Sequence, residues 1–256
     1  MLPLIALAAG AVLLAAASVV TARRPTAPIP DFDGYLRLWS PLHGGYDARS
    51  NAWLYGWLRM SYFFARPLAR FGVQPDLLTL WTVWLAFAVF VPAQAGGYWP
   101  MLGGWILVAS GLGDTLDGCV AVLTDRTTRW GFVLDSVVDR VNDVIYLFAI
   151  VSVGAPLELA IAAGLAFLLL EYLRARAGNA GMGEIGVVTV GERAMRVSFC
   201  SAGIHFGGVF VQQAELVATL GLAALTTVSV VAVGQLTWAV RRALAEQPSE
   251  QVKQDQ

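Results

Sequence analysis

Four aspartates stand in two pairs within an otherwise apolar part of this chain. Asp114 and Asp117 are three residues apart and Asp135 and Asp139 are four apart, so on helices each pair would project from one face. Residues 77–113, directly before them, carry no charge. Acidic groups at membrane depth are costly to desolvate and are interpreted first as functional groups. The spacing therefore predicts a site in which carboxylates surround a cation.

The turn between the two pairs, residues 124–129, is expected in the headgroup region of a membrane. At ~1.5 Å per residue, Asp117 and Asp135 would lie roughly 10 Å below it and the outer aspartates about 15 Å, so antiparallel helices would set the pairs level. Oxygen ligands favour a hard cation, Mg²⁺ or Mn²⁺, and two ions could share bridging carboxylates. The alternative is that the acids pair with nearby arginines, namely Arg126, Arg129 and Arg140.

The pattern D-x-x-D-G-x-x-A followed by G-x-x-x-D-x-x-x-D resembles the signature of the CDP-alcohol phosphatidyltransferases. Its positions here are Asp114, Asp117, Gly118, Ala121, Gly131, Asp135 and Asp139. The family has arginine after the alanine, where this chain has Val122, and Arg126 one turn further on could supply the charge instead. The family also commonly has Pro-Asn-x-x-Thr where the first core helix begins; here Asp76 replaces the asparagine and Thr79 matches.

The resemblance covers about residues 72–240 and implies transfer of a phosphatidyl group from CDP-diacylglycerol to an alcohol, with release of CMP. It implies two Mg²⁺ or Mn²⁺ ions, with Asp139 acting both as ligand and as catalytic base. The metal ligands it implies are Asp114, Asp117, Asp135 and Asp139. The nucleotide-binding residues it implies are Asp76, Thr79, Asp117, Gly118, Ala121 and Arg126.

Two basic segments, residues 172–177 and 191–196, are similar to acceptor-binding segments of family members that use inositol phosphate or glycerol phosphate. The resemblance implies that Arg174, Arg193 and Arg196 bind the phosphate of such an acceptor, because guanidinium groups suit phosphate oxygens. The alternative is that these arginines only mark the cytoplasmic ends of helices. Glu171 could hold Arg174 at i, i+3 spacing.

Composition excludes an ordinary soluble domain. Of the 256 residues, 57% are hydrophobic and 14% charged, which predicts an all-α, polytopic membrane protein. The formal net charge is -1, and the basic residues form no stripe that would indicate nucleic-acid binding.

The apolar runs predict a six-helix core with one additional N-terminal transmembrane helix. The segments are residues 1–24 as a signal anchor, 25–71 as an amphipathic region at the membrane interface, 72–242 as the membrane domain and 243–256 as a disordered cytoplasmic tail. A cleaved signal peptide is the alternative for the first segment. Seven spans with the N-terminus outside put all 17 Lys and Arg on the cytoplasmic side or in the cytoplasmic ends of helices. This predicts a multi-pass protein of the plasma (inner) membrane whose active site faces the cytoplasm, and the resemblance implies a homodimer in contact with membrane lipids.

Two other functions remain open from the sequence. A non-catalytic descendant of the family could retain the aspartates as a structural metal site and serve as a membrane scaffold or lipid-binding subunit. An ion transporter is favoured less, because its acids should be distributed along the span, whereas these acids lie at one level.

Overall fold

The computed structural model describes residues 2–182 and 189–246, and within these ranges the chain forms α-helices, two short 3₁₀ helices and no strand. The α-helices are α1 (Leu2–Val20), α2 (Phe32–Leu42), α3 (Ala52–Phe71), α4 (Pro75–Ala88), α5 (Phe90–Ala95), α6 (Pro100–Leu123), α7 (Arg129–Ser152), α8 (Leu157–Asn179), α9 (Arg193–Val209) and α10 (Ala214–Glu246). The prediction of an all-α helical membrane protein is confirmed.

Helices occur at each of the seven predicted spans. Three stretches are long and apolar enough to cross a membrane, judged by length and composition, namely Pro75–Ala95, Pro100–Leu123 and Val211–Ala245. The apolar part of α1, Leu4–Val20, is shorter than these. The first of these stretches joins α4 and α5. Helices α7, α8 and α9 carry the charged residues of the site discussed below, which lowers their hydropathy.

The predicted amphipathic region, residues 25–71, contains two helices, α2 and α3. Gly44 and Gly45 follow α2 with φ of 63° and 77°, in the left-handed region that favours glycine, and they turn the chain. Asn51 then caps α3, and its side chain accepts hydrogen bonds from two backbone N–H groups of the first turn. Short polar and glycine residues thus end one interfacial helix and begin the next.

Two predicted boundaries also move. The apolar run after the basic segment 191–196 predicts a helix over residues 197–214. Helix α9 instead begins four residues earlier, at Arg193, because Glu192 accepts hydrogen bonds that fix the chain ahead of it. Helix α10 continues to Glu246, past the predicted boundary at residue 242. The glycine content of residues 178–191 predicts a cytoplasmic loop there. The middle of that loop, 183–188, and the rest of the predicted tail, 247–256, lie outside the described residues.

Helix α6 is the centre of the arrangement and packs against α3, α4, α5 and α9. One buried apolar cluster joins α6 to α4 and to α7 through α10, and a second joins its C-terminal end to α2 and α3. The two interfacial helices therefore cover the same end of α6 that carries the first aspartate pair.

The α6 and α9 backbones approach closely at Gly104. A Cβ there would lie 2.5 Å from the His205 Cβ and 2.8 Å from the Ser201 carbonyl oxygen. We expect Gly104→Ala to destabilise the fold by about 1–3 kcal/mol through overpacking, measured as a lower thermal unfolding temperature in detergent. The matched control is Gly56→Ala on exposed α3, where a Cβ meets nothing within 4 Å, and which should leave stability unchanged or raised. Equal unfolding temperatures for the two variants would contradict the expectation.

Candidate active site

A tight turn returns the chain from α6 to α7. Asp125 adopts φ 53°, and the N–H of Arg126 donates to the Ala121 carbonyl at 2.8 Å, which is the Schellman arrangement for ending a helix. The Thr128 side chain then accepts from the Gly131 N–H at 2.9 Å and caps α7. This short connection reverses the chain between two helices that both pack against α4 and α9, and three of the four aspartates meet where the helices face each other.

Three of the four predicted metal ligands meet at one point. Carboxylate oxygens of Asp114, Asp135 and Asp139 all lie within 4.8 Å of one another. All three side chains are partly buried, and all three offer hard oxygen donors, which suit Mg²⁺ or Mn²⁺. The residues present therefore fit a divalent metal site.

Asp117, the fourth predicted ligand, is buried and has different partners. One of its oxygens accepts a hydrogen bond from the Thr79 hydroxyl at 2.5 Å, and the other accepts from the Gly118 N–H at 2.6 Å. Thr79, predicted beside the nucleotide, thus orients Asp117 from α4. In this arrangement the threonine fixes one carboxylate at the edge of the group formed by the other three.

Arg193 contacts two of the clustered carboxylates. One guanidinium nitrogen forms ion pairs with both Asp114 and Asp139. The Asp114 oxygen in this contact makes no hydrogen bond of good geometry with any described residue. The structure thus places a predicted acceptor-binding arginine directly against the predicted metal ligands, where its charge offsets theirs.

A buried ion network lies behind the cluster. Arg196 is 1% exposed and pairs with Asp143 and Glu171, each at 2.8 Å. Arg140 lies 3.3 Å from Asp143, 3.0 Å from Glu171 and 3.6 Å from Asp139. The sequence leaves two roles open for Asp143, which lies one turn beyond Asp139: support of the metal ligands, or pairing with Arg140. This geometry is compatible with both.

Arg174 and Arg196 differ in their access to solvent. Arg174 is partly exposed and pairs with Glu192 at 2.9 Å and, as the spacing predicted, with Glu171 at 3.6 Å. Arg196 has all of its observed partners inside the protein, including the Phe167 ring, whose centroid is 4.7 Å from the guanidinium carbon. Acceptor binding by Arg196 stays a prediction that its burial does not favour.

A cavity of about 520 Å³ opens beside the cluster. Among its lining residues are all six predicted to bind the nucleotide, Asp76, Thr79, Asp117, Gly118, Ala121 and Arg126, together with Asp114 and Asp135. A Cβ at Gly118 would meet nothing within 4 Å, so this position leaves the cavity wall open. The cavity is thus large enough for a nucleotide-sized ligand and lies next to two of the clustered carboxylates.

Sequence reasoning missed two parts of the site. Helix α2 supplies a wall of the cavity, including Tyr35, Trp39 and His43, of which the last two stack at 3.9 Å between ring centroids. A second feature is a chain of buried hydrogen bonds that joins α4, α6 and α7 through Thr82, Ser110, Asn142 and Tyr146. Isolated polar residues on apolar helices were a signal for the hydrogen-bonded chain, whereas nothing in the sequence indicates which helix covers the cavity.

Comparison with known proteins gives a family match over most of the core. The family model for CDP-alcohol phosphatidyltransferase matches residues 73–239. An archaetidylinositol phosphate synthase of Methanothermobacter thermautotrophicus is 35% identical over 142 residues, covering 55% of this chain and 71% of the relative. A phosphatidylinositol phosphate synthase of Cutibacterium acnes is 27% identical over 199 residues, covering 73% of this chain and 95% of the relative.

Solved structures show the same fold. The phosphatidylinositol phosphate synthase of Mycobacterium tuberculosis with CDP-DAG bound superimposes with a TM-score of 0.57 at 24% identity, covering 71% of this chain and 94% of that chain. The same enzyme in complex with manganese and citrate gives a TM-score of 0.56 at 23% identity, covering 70% and 88%. At these identities the likeness supports the fold alone.

Proposed function

Since this chain belongs to the CDP-alcohol phosphatidyltransferase family and is therefore a membrane transferase of that class, we propose that it moves the phosphatidyl group of CDP-diacylglycerol to a phosphorylated alcohol and releases CMP. The observation that carries the proposal is the group of Asp114, Asp135 and Asp139, within 4.8 Å of one another and beside a cavity of about 520 Å³. Inositol phosphate is the first candidate acceptor and glycerol phosphate the second, because the relatives above are inositol phosphate lipid synthases.

The residues divide the chemistry among them. Asp139 takes the proton of the acceptor hydroxyl, whose oxygen then attacks the phosphorus attached to the diacylglycerol, and the bond from that phosphorus to the CMP oxygen breaks. Asp114, Asp117, Asp135 and Asp139 would hold the divalent ions. Bound there, such ions neutralise the diphosphate and stabilise the departing oxygen. Arg193 and Arg174, whose side chains are both partly exposed, are proposed to bind the acceptor phosphate.

The proposal includes the setting of the enzyme. In the seven-span arrangement the Lys and Arg fall on the cytoplasmic side or in the cytoplasmic ends of helices, which supports an active site toward the cytoplasm, where a water-soluble acceptor is available. A plasma-membrane location is part of the same proposal. A homodimer is proposed on the resemblance to the family alone.

Metal removal and an acceptor panel test the function together. We expect purified protein to release CMP from CDP-diacylglycerol with one of inositol phosphate, glycerol phosphate, inositol, serine or phosphatidylglycerol. Chelation should abolish release, and added Mg²⁺ or Mn²⁺ should restore it, because in the described part of the chain only arginines offset the charge of the three clustered carboxylates. Release that persists in the chelator would contradict the metal assignment. Folded protein that releases no CMP with any acceptor would contradict the proposed reaction.

A further inference from the structure

Helix α1 lies outside the segment matched by the family model, yet it packs on the first core helix. The indole N–H of Trp84 on α4 donates to the Leu7 carbonyl at 2.8 Å, and that of Trp81 donates to the Ser18 hydroxyl at 3.2 Å. The α1 helix is therefore attached to α4 along its length. This attachment determines where the chain emerges from α1.

The segment that follows, residues 21–24, is fixed at the beginning of α4. The Gln74 side chain donates to the Thr21 carbonyl at 2.8 Å, and the Arg23 N–H donates to the Gly72 carbonyl at 2.8 Å. Gly72 has φ 77°, and any Cβ there would collide with the backbone of Arg23. Glycine is required at this position both by the backbone conformation and by the close approach of the segment.

The same segment contacts a residue of the cavity wall. The Arg23 carbonyl accepts a hydrogen bond from Nη2 of Arg126 at 2.5 Å, across 103 positions of sequence. Arg126 lines the cavity, and its Nη1 is buried without a hydrogen-bond partner among the described residues. A buried guanidinium nitrogen without a partner is costly, and an anionic ligand oxygen would satisfy it.

Val122, which replaces the arginine of the family pattern, lines the same cavity. We infer that the 21–24 segment, carried by α1, is a positioning element that holds Arg126 toward the diphosphate of the donor and so replaces the arginine missing at Val122. The fork of the guanidinium suits this task, because one nitrogen can bind the Arg23 carbonyl while the other remains for a phosphate oxygen. The inference rests on the proposed function, since it takes CDP-diacylglycerol as the ligand.

A double-mutant cycle tests the coupling between the segment and the arginine. The single variants are Arg126→Ala and Gln74→Ala; Gln74 lies outside the cavity lining, and its side chain caps no helix. We expect Arg126→Ala to weaken CDP-diacylglycerol binding by about tenfold or more and Gln74→Ala by about threefold. The double variant should bind no more weakly than Arg126→Ala, because the segment acts only through that residue.

Binding of CDP-diacylglycerol is measured in detergent without acceptor, and the KM values for donor and acceptor are measured by CMP release. The affinity and the KM for CDP-diacylglycerol should change, while the KM for the acceptor and the unfolding temperature stay constant. A general loss of structure would change all of them. Val12→Ala, at an exposed position on α1 that takes no part in these hydrogen bonds, is the matched control and should leave donor binding unchanged.

The outcomes separate the two proposals. Additive losses in the double variant, with a wild-type protein that releases CMP, would overturn the positioning role and leave the proposed function intact. A wild-type protein that neither binds CDP-diacylglycerol nor releases CMP would overturn both.

Discussion

Asp139→Asn is expected to reduce CMP release by about 10²- to 10⁴-fold, the range typical of a lost general acid or base. The side chain is 17% exposed, pairs with Arg193 and lies 3.6 Å from Arg140, so asparagine preserves its shape while removing its charge and its ability to accept a proton. The loss should appear in kcat at saturating Mg²⁺ or Mn²⁺, and the metal requirement should also rise. The measurement is CMP release over a metal titration, with the unfolding temperature as the check on folding.

Asp125→Asn is the matched control for this variant. Asp125 lies in the turn between the two halves of the aspartate motif. Its side chain is exposed and forms no ion pair with any described residue. Asparagine tolerates its positive φ, so activity should remain at the wild-type level. A kcat for Asp139→Asn equal to that of the control would exclude Asp139 as the catalytic base.

Arg196→Met is expected to destabilise the protein by about 3–5 kcal/mol, since it removes one partner from a buried ion network and leaves the Asp143 charge less fully compensated. Asp143 is 3% exposed and would retain only Arg140 at 3.3 Å, while the contact with Glu171 would also be lost. Thermal unfolding in detergent should show a large drop in unfolding temperature. If Arg196 instead acts mainly on the acceptor, the acceptor KM will rise at unchanged stability.

Two companion variants separate the ion pair from the packing of the side chain. Asp143→Asn in the Arg196→Met background removes the stranded charge, and it should recover part of the lost stability. Arg241→Met, on the exposed end of α10, should change stability by less than about 0.5 kcal/mol. Failure of the double variant to recover any stability would indicate that packing against Phe167 dominates.

Local sequence features predicted the helices well. The apolar run of residues 1–22 predicts α1 to within two residues of its observed ends, and the turn predicted at residues 124–129 lies between α6 and α7, because apolar length and turn-forming residues are properties of neighbouring positions. Pro75 begins α4 as predicted, and Asp76 lies in its first turn. The predicted boundary failed at α9, where Glu192 is fixed by contacts with Arg174 and Thr189.

The aspartate spacing also predicted which carboxylates would approach each other, and the group formed by Asp114, Asp135 and Asp139 follows from two helices and a short turn. The same spacing did not distinguish Asp117, whose orientation depends on a hydroxyl from α4, 38 positions away. The roles of these residues as metal ligands stay predictions, tested by chelation and by the Asp139 variant.

The sequence by itself determined the membrane class, the helices and the acidic motif, since each depends on the types and spacing of residues close together in the chain. Only the tertiary structure decided that Arg193 reaches the carboxylates, that Arg196 is enclosed in an ion network and that Arg126 is held by the backbone of Arg23. These contacts join residues 25 to 103 positions apart. They depend on how closely helices pack and on which buried charge lies nearest, and neither quantity is encoded in local sequence periodicity.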